Sequence, residues 1–371
     1  MKRHAVLLLL AFTSSAQPAT APALVRVARI WDAGAHNAFT DLIRWRNRWY
    51  CTFREPDAHV GGDGRIRVLV SADGEAWTSA ALIGEDRIDL RDPKLSITPD
   101  GRLMIVAGGS VYEGKRFVSR QPRVMFSSGG STWSAPERIL GDGDWLWRVT
   151  WQEGRAYGVT YRAEPGASTE WTATLVSSTD GRTFDRITTF AVPGRPNETT
   201  VRFMPDGEMV ALVRREAGDL KAWLGRSRAP YTTWAWRETP QQIGGPNFIR
   251  LPDDALWAAG RSYPGGPKTV VARLSLDGGY EPARHVSIEI AWQLPERVHD
   301  ALDELFRRRD GVRQQAHGRA PANNLRQCDG KGVLEHQEQA DQKTQDDERT
   351  STGFQIAETR IEADGGKEIN E

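Results

Sequence analysis

One short phrase recurs five times along the chain, and this repetition constrains the fold more than any single residue does. The clearest copies run from a serine through a Gly-containing pair to an aromatic residue, at Ser71 to Trp77, Ser127 to Trp133 and Ser178 to Phe184. Weaker copies follow at Ser227 to Trp234 and Ser275 to Tyr280. The copies are roughly 50 residues apart, which is the period of one blade of a β-propeller.

A second phrase, two apolar strands joined by a tight turn, alternates with the first. Its turns lie at residues 46–47, 99–101, 153–154, 205–207 and 252–254. In the first phrase, Asp and Gly favour a turn closed by side-chain hydrogen bonds, and the aromatic residue packs between neighbouring sheets. We therefore interpret the first phrase as structural and not catalytic.

Charge and cysteine content exclude several classes of function. The 371 residues include 49 basic and 49 acidic ones, so a formal net charge of zero gives no electrostatic support for nucleic-acid binding. The two cysteines, Cys51 and Cys328, show no metal-ligand spacing and are not expected to form a disulfide. No metal and no organic cofactor is implied.

The first residues predict export. Two basic residues precede an apolar stretch at residues 5–12, and small residues follow at 14–16. This pattern is typical of a secretory signal peptide, which we place within residues 1–21. The apolar stretch is too short to span a membrane. We expect a secreted, periplasmic or extracellular protein without an integral membrane segment.

Residues 22–292 predict an all-β, six-bladed propeller whose sixth blade is incomplete. A strand at residues 23–31 should pair with one late in the chain, because propellers close by joining terminal strands in one blade. Residues 293–371 differ in composition, with no Trp or Tyr. They contain an amphipathic helical stretch at 294–309 and are otherwise polar and predicted to be disordered. An alternative is that the segment after about residue 290 is read in a shifted frame.

The segment from Pro196 to Arg215 carries the most specific motif. An Asn-Glu pair leads into a strand, an Asp-Gly turn follows, and the returning strand ends in arginine. Together with the repeats, this segment resembles the sialidase (neuraminidase) superfamily, whose six-bladed propellers carry Asp-boxes, over about residues 30–290. The resemblance implies that Glu198 activates a tyrosine nucleophile. It implies that Arg214 or Arg215, together with Arg261, grips the substrate carboxylate.

The chemistry of an acidic sugar explains these residue types. Guanidinium groups bind a carboxylate bidentately and stay charged, and a tyrosine nucleophile avoids the repulsion that a carboxylate would meet. A general acid is also needed. The loop after Arg54 occupies the position where the family places it, and Asp57, His59 and Asp63 are candidates between which the sequence does not choose.

Two departures from the family pattern affect the catalytic assignment. The segment that should supply the first arginine of the triad is replaced by residues 36–41, and Arg54 is the alternative source of that charge. The nucleophilic tyrosine is expected in the sixth blade, but no Tyr follows Tyr280. Tyr263, beside Arg261, is the remaining candidate for the nucleophile.

Repeat phase predicts that polar residues converge at one end of the ring, because equivalent strand ends of a propeller meet at its central channel. Interblade ion pairing is the alternative interpretation of these residues. The expected substrate-binding set is Arg54, Arg91, Arg148, Arg214, Arg215, Arg261, His36, Asn37, Asp41 and Asp92.

The leading functional hypothesis is a secreted glycoside hydrolase of the exo-α-sialidase type acting on a glycan or glycoconjugate. One alternative is a non-catalytic glycan-binding propeller or inactive relative. Another is a propeller glycosidase for a different sugar, in which His36, Arg91 and Arg148 define a distinct pocket.

Overall fold

The regular secondary structure of the described chain consists of β-strands alone. The computed structural model describes residues 23–56, 63–114, 116–164, 167–264, 266, 268–286 and 354–360. Within these ranges no helix has the length and apolar character that crossing a bilayer requires. In chain order the strands are β1 (Ala23–Trp31), β2 (Ala38–Trp45), β3 (Arg48–Glu55), β4 (Arg65–Ser71), β5 (Trp77–Ile83), β6 (Asp89–Ile97), β7 (Leu103–Glu113), β8 (Arg116–Ser127), β9 (Glu137–Arg138), β10 (Trp145–Gln152), β11 (Arg155–Glu164), β12 (Ala167–Ser178), β13 (Asp185–Thr189), β14 (Pro196–Phe203), β15 (Met209–Arg215), β16 (Trp223–Ser227), β17 (Ala235–Glu238), β18 (Gly244–Arg250), β19 (Leu256–Ser262), β20 (Lys268–Leu274), β21 (Tyr280–Val286) and β22 (Phe354–Arg360).

Strands β2 to β21 form five four-stranded antiparallel sheets, each made of four consecutive strands. We number these sheets blades 1 to 5. The first strand of each blade contacts the first strand of the next, so these strands form the inner ring. The inner strands begin at one end of the central channel, and we call this end the mouth. Because the strands alternate in direction, each second strand returns to the mouth, whereas the turns between third and fourth strands lie at the opposite end.

Apolar residues fill the spaces between neighbouring blades. Between blades 1 and 2, Tyr50 and Val68 pack with Leu95 and Ile105 in one buried cluster. Similar clusters join blades 2 and 3, 3 and 4, and 4 and 5. Truncating a fully buried side chain such as Ile105 to Ala would cost about 2–5 kcal/mol. The interblade cores therefore fix the position of each inner strand.

The repeated serine phrase forms the turn between the third and fourth strands. In blade 1 the Gly74 amide donates to Ser71 Oγ at 2.8 Å, and the amides of Glu75 and Ala76 donate to Asp73 Oδ1 at 2.8 and 2.9 Å. The Trp77 indole then donates to the Gly74 carbonyl at 2.8 Å. This hydrogen-bond geometry is consistent with the structural interpretation of the phrase. The turns that it closes lie at the end of the blades opposite the mouth.

The terminal strands of the described chain pair with each other. β1 runs antiparallel to β22, with Ala23 opposite Arg360 and Trp31 opposite Phe354. β1 also packs on blade 1, where the Trp31 indole donates to Glu55 Oε2 at 2.8 Å. Pairing of the first strand with a late one agrees with the sequence-based expectation.

The predicted six-bladed closure is not confirmed, because the described residues form five complete blades and one two-stranded sheet. Residues 354–360 form a strand, in a segment where the sequence predicts a helical or disordered tail. The predicted signal peptide and the stretch at residues 294–309 lie outside the described residues. The division into leader, propeller and tail stays a prediction.

Candidate functional site

One irregularity recurs at the mouth end of all five inner strands. The pairing with the second strand of the blade slips by one residue there, as in a β-bulge. A bulge bends the strand locally and redirects its side chains. Three bulge residues, Phe39, Asp92 and Gly245, have positive φ angles of 64°, 50° and 58°. The equivalent two-residue positions in successive blades are residues 39–40, 92–93, 147–148, 197–198 and 245–246.

The bulge of blade 4 holds Glu198 in a dense hydrogen-bond network. Arg214 Nη1, at the end of the second strand, donates to Glu198 Oε2 at 2.6 Å, and the Gly245 amide of the blade 5 bulge donates to the same oxygen at 2.9 Å. Arg214 Nη2 also lies 2.5 Å from Glu216 Oε1. The Glu198 carboxyl is partly exposed, with 16% of its side chain accessible.

These contacts keep Glu198 ionised. Burial acts to raise its pKa, but the charge and hydrogen bond of Arg214, the charge of Arg261 and the Gly245 amide together lower it below the usual value. Burial acts to lower the pKa of Arg214, but the charges of Glu198 and Glu216 raise it well above its usual value. The two groups form a stable charged pair at the mouth.

Tyr263 lies beside this pair. Arg261 Nε donates to the Tyr263 hydroxyl at 3.1 Å, and Arg214 Nη2 lies 3.5 Å from the same oxygen. Arg261 is exposed, whereas Tyr263 is half-buried. The structure thus brings together four of the residues predicted from the sequence, Glu198, Arg214, Arg261 and Tyr263.

The bulge of blade 2 presents a second carboxyl group, Asp92. Burial raises the pKa of Asp92 and the charge of Glu198 raises it further, although the positive charges of Lys94 and Arg91 act in the opposite direction. The net pKa lies above the usual value for Asp. The mouth therefore combines a carboxyl group with a raised pKa, Asp92, and one with a lowered pKa, Glu198.

Arg148 and Asp41 form a buried pair across the channel. Arg148, in the blade 3 bulge, donates from both Nη atoms to Asp41 of blade 1 at 2.9 and 2.8 Å. Asp41 also accepts the Leu95 amide at 2.7 Å. Between these blades, Lys94 is 4% exposed, and its Nζ lies 4.5 Å from the centre of the Trp147 ring. Both carboxylate oxygens of Asp41 are thus engaged by the protein.

Two predicted substrate-binding arginines are tied into the framework instead. Arg54 is fully buried and donates from Nε and Nη2 to the two carboxylate oxygens of Asp89 at 2.7 and 2.9 Å. Arg215 is 5% exposed, pairs with Asp219 and donates to the Pro193 carbonyl at 2.7 Å. Their sequence pattern predicts a clamp for a substrate carboxylate, whereas their burial favours a structural role.

The remaining predicted site residues are more scattered. Arg91 lies close to the mouth, 3.4 Å from Asp89 Oδ2 and 3.5 Å from the Tyr112 hydroxyl. His36 and Asn37 are buried just before β2. Asp63 is exposed. Asp57 and His59, the other candidate general acids, lie outside the described residues.

The sequence analysis missed three contributors, which are Lys94, Glu216 and the Gly245 amide. Lys94 follows the Arg91-Asp92 pair by two residues, and Glu216 directly follows the two arginines that end β15. Both positions are visible in the repeat phase once the bulge is known. A backbone amide such as that of Gly245 carries no side-chain signal at all.

Similarity to solved structures bears on the fold. No family model matches the sequence, and no curated protein does. A protein of unknown function from Dyadobacter fermentans superposes with a TM-score of 0.61 and 20% identity, over 68% of this chain and 83% of that one. The α-L-arabinanase of Penicillium chrysogenum, solved with arabinobiose, superposes with a TM-score of 0.56 and 13% identity, over 70% of this chain and 86% of that one. The Trypanosoma rangeli sialidase, solved with the inhibitor DANA, superposes with a TM-score of 0.55 and 13% identity, over 68% of this chain but 49% of that one.

In fold, the chain is a sialidase-like β-propeller, as its sequence motifs indicate. Identities of 13–20% establish the architecture alone. The solved proteins of this shape include enzymes named for different sugars, so the chemistry has to be argued from the residues at the mouth.

Proposed function

We propose that this protein is a propeller glycosidase whose catalytic carboxyl groups are Glu198 and Asp92. The observation that carries the proposal is the placement of both groups on equivalent inner-strand bulges at one mouth, with Glu198 anchored by Arg214 and the Gly245 amide. Glycosidases use two carboxyl groups in different protonation states. The opposite pKa shifts of Glu198 and Asp92 match that division of labour.

In the proposed reaction Asp92 donates its proton to the glycosidic oxygen as the bond to the anomeric carbon breaks. Glu198 stabilises the positive charge that develops on the sugar ring, and acts either as the nucleophile or as the base for an attacking water. The anomeric configuration of the first product separates these two roles, since attack by Glu198 itself gives retention and attack by water gives inversion.

The finer proposal of an exo-α-sialidase draws support from Tyr263. Its hydroxyl lies against Arg214 and Arg261, where a tyrosine nucleophile and a carboxylate-binding arginine pair would be placed. The state of the other arginines weighs against this assignment. Arg54 and Arg148 already bind Asp89 and Asp41 bidentately, so gripping a substrate carboxylate would require breaking buried ion pairs. We therefore favour a sugar without an anomeric carboxylate.

Hydrolysis of two fluorogenic substrates tests the proposal, one an α-sialoside and the other an α-L-arabinofuranoside. Four proteins are compared: the unmodified chain, Glu198→Gln, Tyr263→Phe and the control Arg250→Gln, at an exposed arginine outside the mouth. For a carboxyl-pair enzyme, Glu198→Gln lowers kcat/KM by about 10²–10⁴-fold, and Tyr263→Phe changes it less than about tenfold.

A collapse of sialoside turnover in Tyr263→Phe would instead assign the sialidase mechanism. Binding of a glycan without turnover of either substrate would assign the non-catalytic alternative. If Glu198→Gln retains full activity on a substrate that the unmodified chain cleaves, the proposed catalytic role of Glu198 is wrong.

A further inference from the structure

A guanidinium group in the central channel, that of Arg202, has no carboxylate partner among the residues that the structure describes. Arg202 lies on β14, four residues after Glu198, which places its backbone about 13 Å further from the mouth at roughly 3.3 Å per residue. Its side chain reaches back to Asn247, which directly follows the blade 5 bulge. It is half-buried. By contrast, Arg148 of the same inner ring binds the carboxylate of Asp41 at 2.8 Å.

The contacts of Arg202 are all with neutral groups. Nη1 donates to Thr150 Oγ1 at 2.7 Å and to the Val201 carbonyl at 2.9 Å, and Nη2 donates to Asn247 Oδ1 at 2.9 Å. Thr150 and Asn247 belong to the inner strands on either side, so the guanidinium bridges three blades. These contacts fix its orientation and leave its positive charge uncompensated.

A second guanidinium, that of Arg148, lies near Arg202, and Asp41 neutralises its charge, so Asp41 is not free to pair with Arg202. Burial lowers the pKa of Arg202 to about 9, and the nearby charge of Arg148 contributes in the same direction against the weaker effect of Asp41. Arg148 Nε is buried and has no hydrogen-bond acceptor among the described residues. A buried cation is costly unless it is paired, and an oriented N–H group with no acceptor adds to that cost.

We propose that Arg202 binds a small inorganic anion, such as chloride, in the central channel below the mouth. The anion supplies the missing negative charge and accepts hydrogen bonds from the guanidinium and from the amide nitrogen of Asn247, whose oxygen already binds Arg202. Its role is to hold blades 3, 4 and 5 in register beneath the candidate catalytic site. The proposal does not depend on the proposed glycosidase activity.

Thermal unfolding of the full chain tests this inference, with chloride replacing the larger gluconate anion at constant ionic strength. Going from about 2 mM to about 200 mM chloride should raise Tm by about 3–6 °C, because the anion binds the folded chain alone. The Arg202→Gln variant keeps a polar side chain but should lose this dependence. The matched control is Arg250→Gln, at the equivalent position of β18, where the arginine pairs with Asp254. Its chloride response should equal that of the unmodified chain.

A crystal of the unmodified chain grown in bromide gives the direct measurement and covers the case in which Arg202→Gln does not fold. An anomalous peak within hydrogen-bond distance of the Arg202 guanidinium is the expected result. The proposal is overturned by the absence of such a peak, or by a chloride response that is unchanged in Arg202→Gln. It is equally overturned if the density shows a protein carboxylate or the carboxylate of a bound sugar at this position.

Discussion

The two ends of the blades carry the same fivefold repetition but use it differently. At the end opposite the mouth, equivalent positions hold similar residues that make the same hydrogen bonds, as in Ser71 with Gly74 and Ser178 with Gly181, both at 2.8 Å. At the mouth, the two-residue bulges of blades 2, 3 and 4 contain Asp92, Arg148 and Glu198, which share no chemistry. The backbone geometry therefore recurs from blade to blade at both ends, whereas the side-chain types recur only at the end opposite the mouth.

This difference separates residues that maintain the propeller from residues free to specialise. A turn that each blade needs tolerates little variation, because its hydrogen bonds replace backbone partners. A bulge sets only the direction of its side chains, so each blade can offer a different group to the channel. Variants at the mouth should therefore alter turnover with little change in stability, and variants in the framework should do the reverse.

The largest effect is expected for Asp92→Asn. Loss of the general acid should lower kcat by about 10²–10⁴-fold on a glycoside with a poor leaving group. The loss should be smaller on an aryl glycoside whose leaving group needs no proton. In the unmodified chain, activity falls as the pH rises through the raised pKa of Asp92, and falls at low pH as Glu198 becomes protonated. The variant should lack the alkaline limb of the pH–rate profile. Equal losses on both substrates with an unchanged profile would contradict the proposed role.

Arg54→Met tests whether a mouth-adjacent arginine belongs to the framework. The variant leaves Asp89 buried without its bidentate partner, which should reduce the free energy of unfolding by about 3–5 kcal/mol. Arg261→Met is the comparison, because Arg261 is exposed and forms no ion pair among the described residues. It should leave stability within about 0.5 kcal/mol and alter KM instead. Urea unfolding monitored by Trp fluorescence, together with steady-state kinetics, distinguishes them. A stable Arg54→Met with a raised KM would restore Arg54 to the substrate site.

Gly130→Ala should break the framework from its other end. Gly130 has a φ of 83°, and an added Cβ would lie 2.5 Å from the Tyr50 ring of the neighbouring blade. Backbone strain and overpacking together should cost about 2–4 kcal/mol. Gly74→Ala is the matched control, since its φ is 80° but its nearest contact would be at 3.6 Å. That variant should lose about 1–2 kcal/mol from strain alone. Chemical denaturation of the two variants side by side measures the difference, and equal losses would show that the contact with Tyr50 is unimportant.

The framework was more predictable from sequence than the site. The five serine phrases and the five hairpin turns all lie where their local residue types indicate, because Asp, Asn and Gly determine turns over a few residues. β1 coincides with the strand predicted at residues 23–31. The inner-strand bulges were not predicted, since a one-residue slip leaves the apolar pattern almost unchanged.

Prediction of the site failed where partners come from different blades. The arginines were recognised as a group, but Asp41 and Asp89 neutralise Arg148 and Arg54 from other blades, and no local pattern encodes such pairings. The sequence also gives no sign that Arg202 lacks a carboxylate. The number of blades depended on residues after 290, whose composition carries no strand pattern to count.

The smallest effect, and the only expected gain, comes from completing the serine phrase in blade 2. Here Gly129 occupies the position that Asp73 and Asp180 hold in blades 1 and 3, so the carboxylate that accepts the second and third following amides in those blades is missing. Its φ is not positive, and an added Cβ would have no neighbour within 4 Å. Gly129→Asp should therefore stabilise the fold by about 0.5–1 kcal/mol, through a less flexible unfolded chain and new turn hydrogen bonds.

The pH dependence of this gain separates its two sources. Partial burial acts to raise the pKa of Asp180, but the amides of Thr183 and Arg182 and the Ser178 hydroxyl lower it to about 2. A carboxyl with a lowered pKa in the folded state stabilises the fold above its unfolded pKa of about 3.9, and that contribution is lost as the pH falls toward the folded pKa. The turn hydrogen bonds of Gly129→Asp should follow the same course, whereas the backbone contribution should persist. Calorimetric Tm values for Gly129→Asp, with Gly129→Ala as the control, measured at neutral pH and again at about pH 3, test this. If both variants gain equally at neutral pH, the serine phrase owes its stability to backbone shape, and the aspartates that recur in it add nothing at this end of the blades.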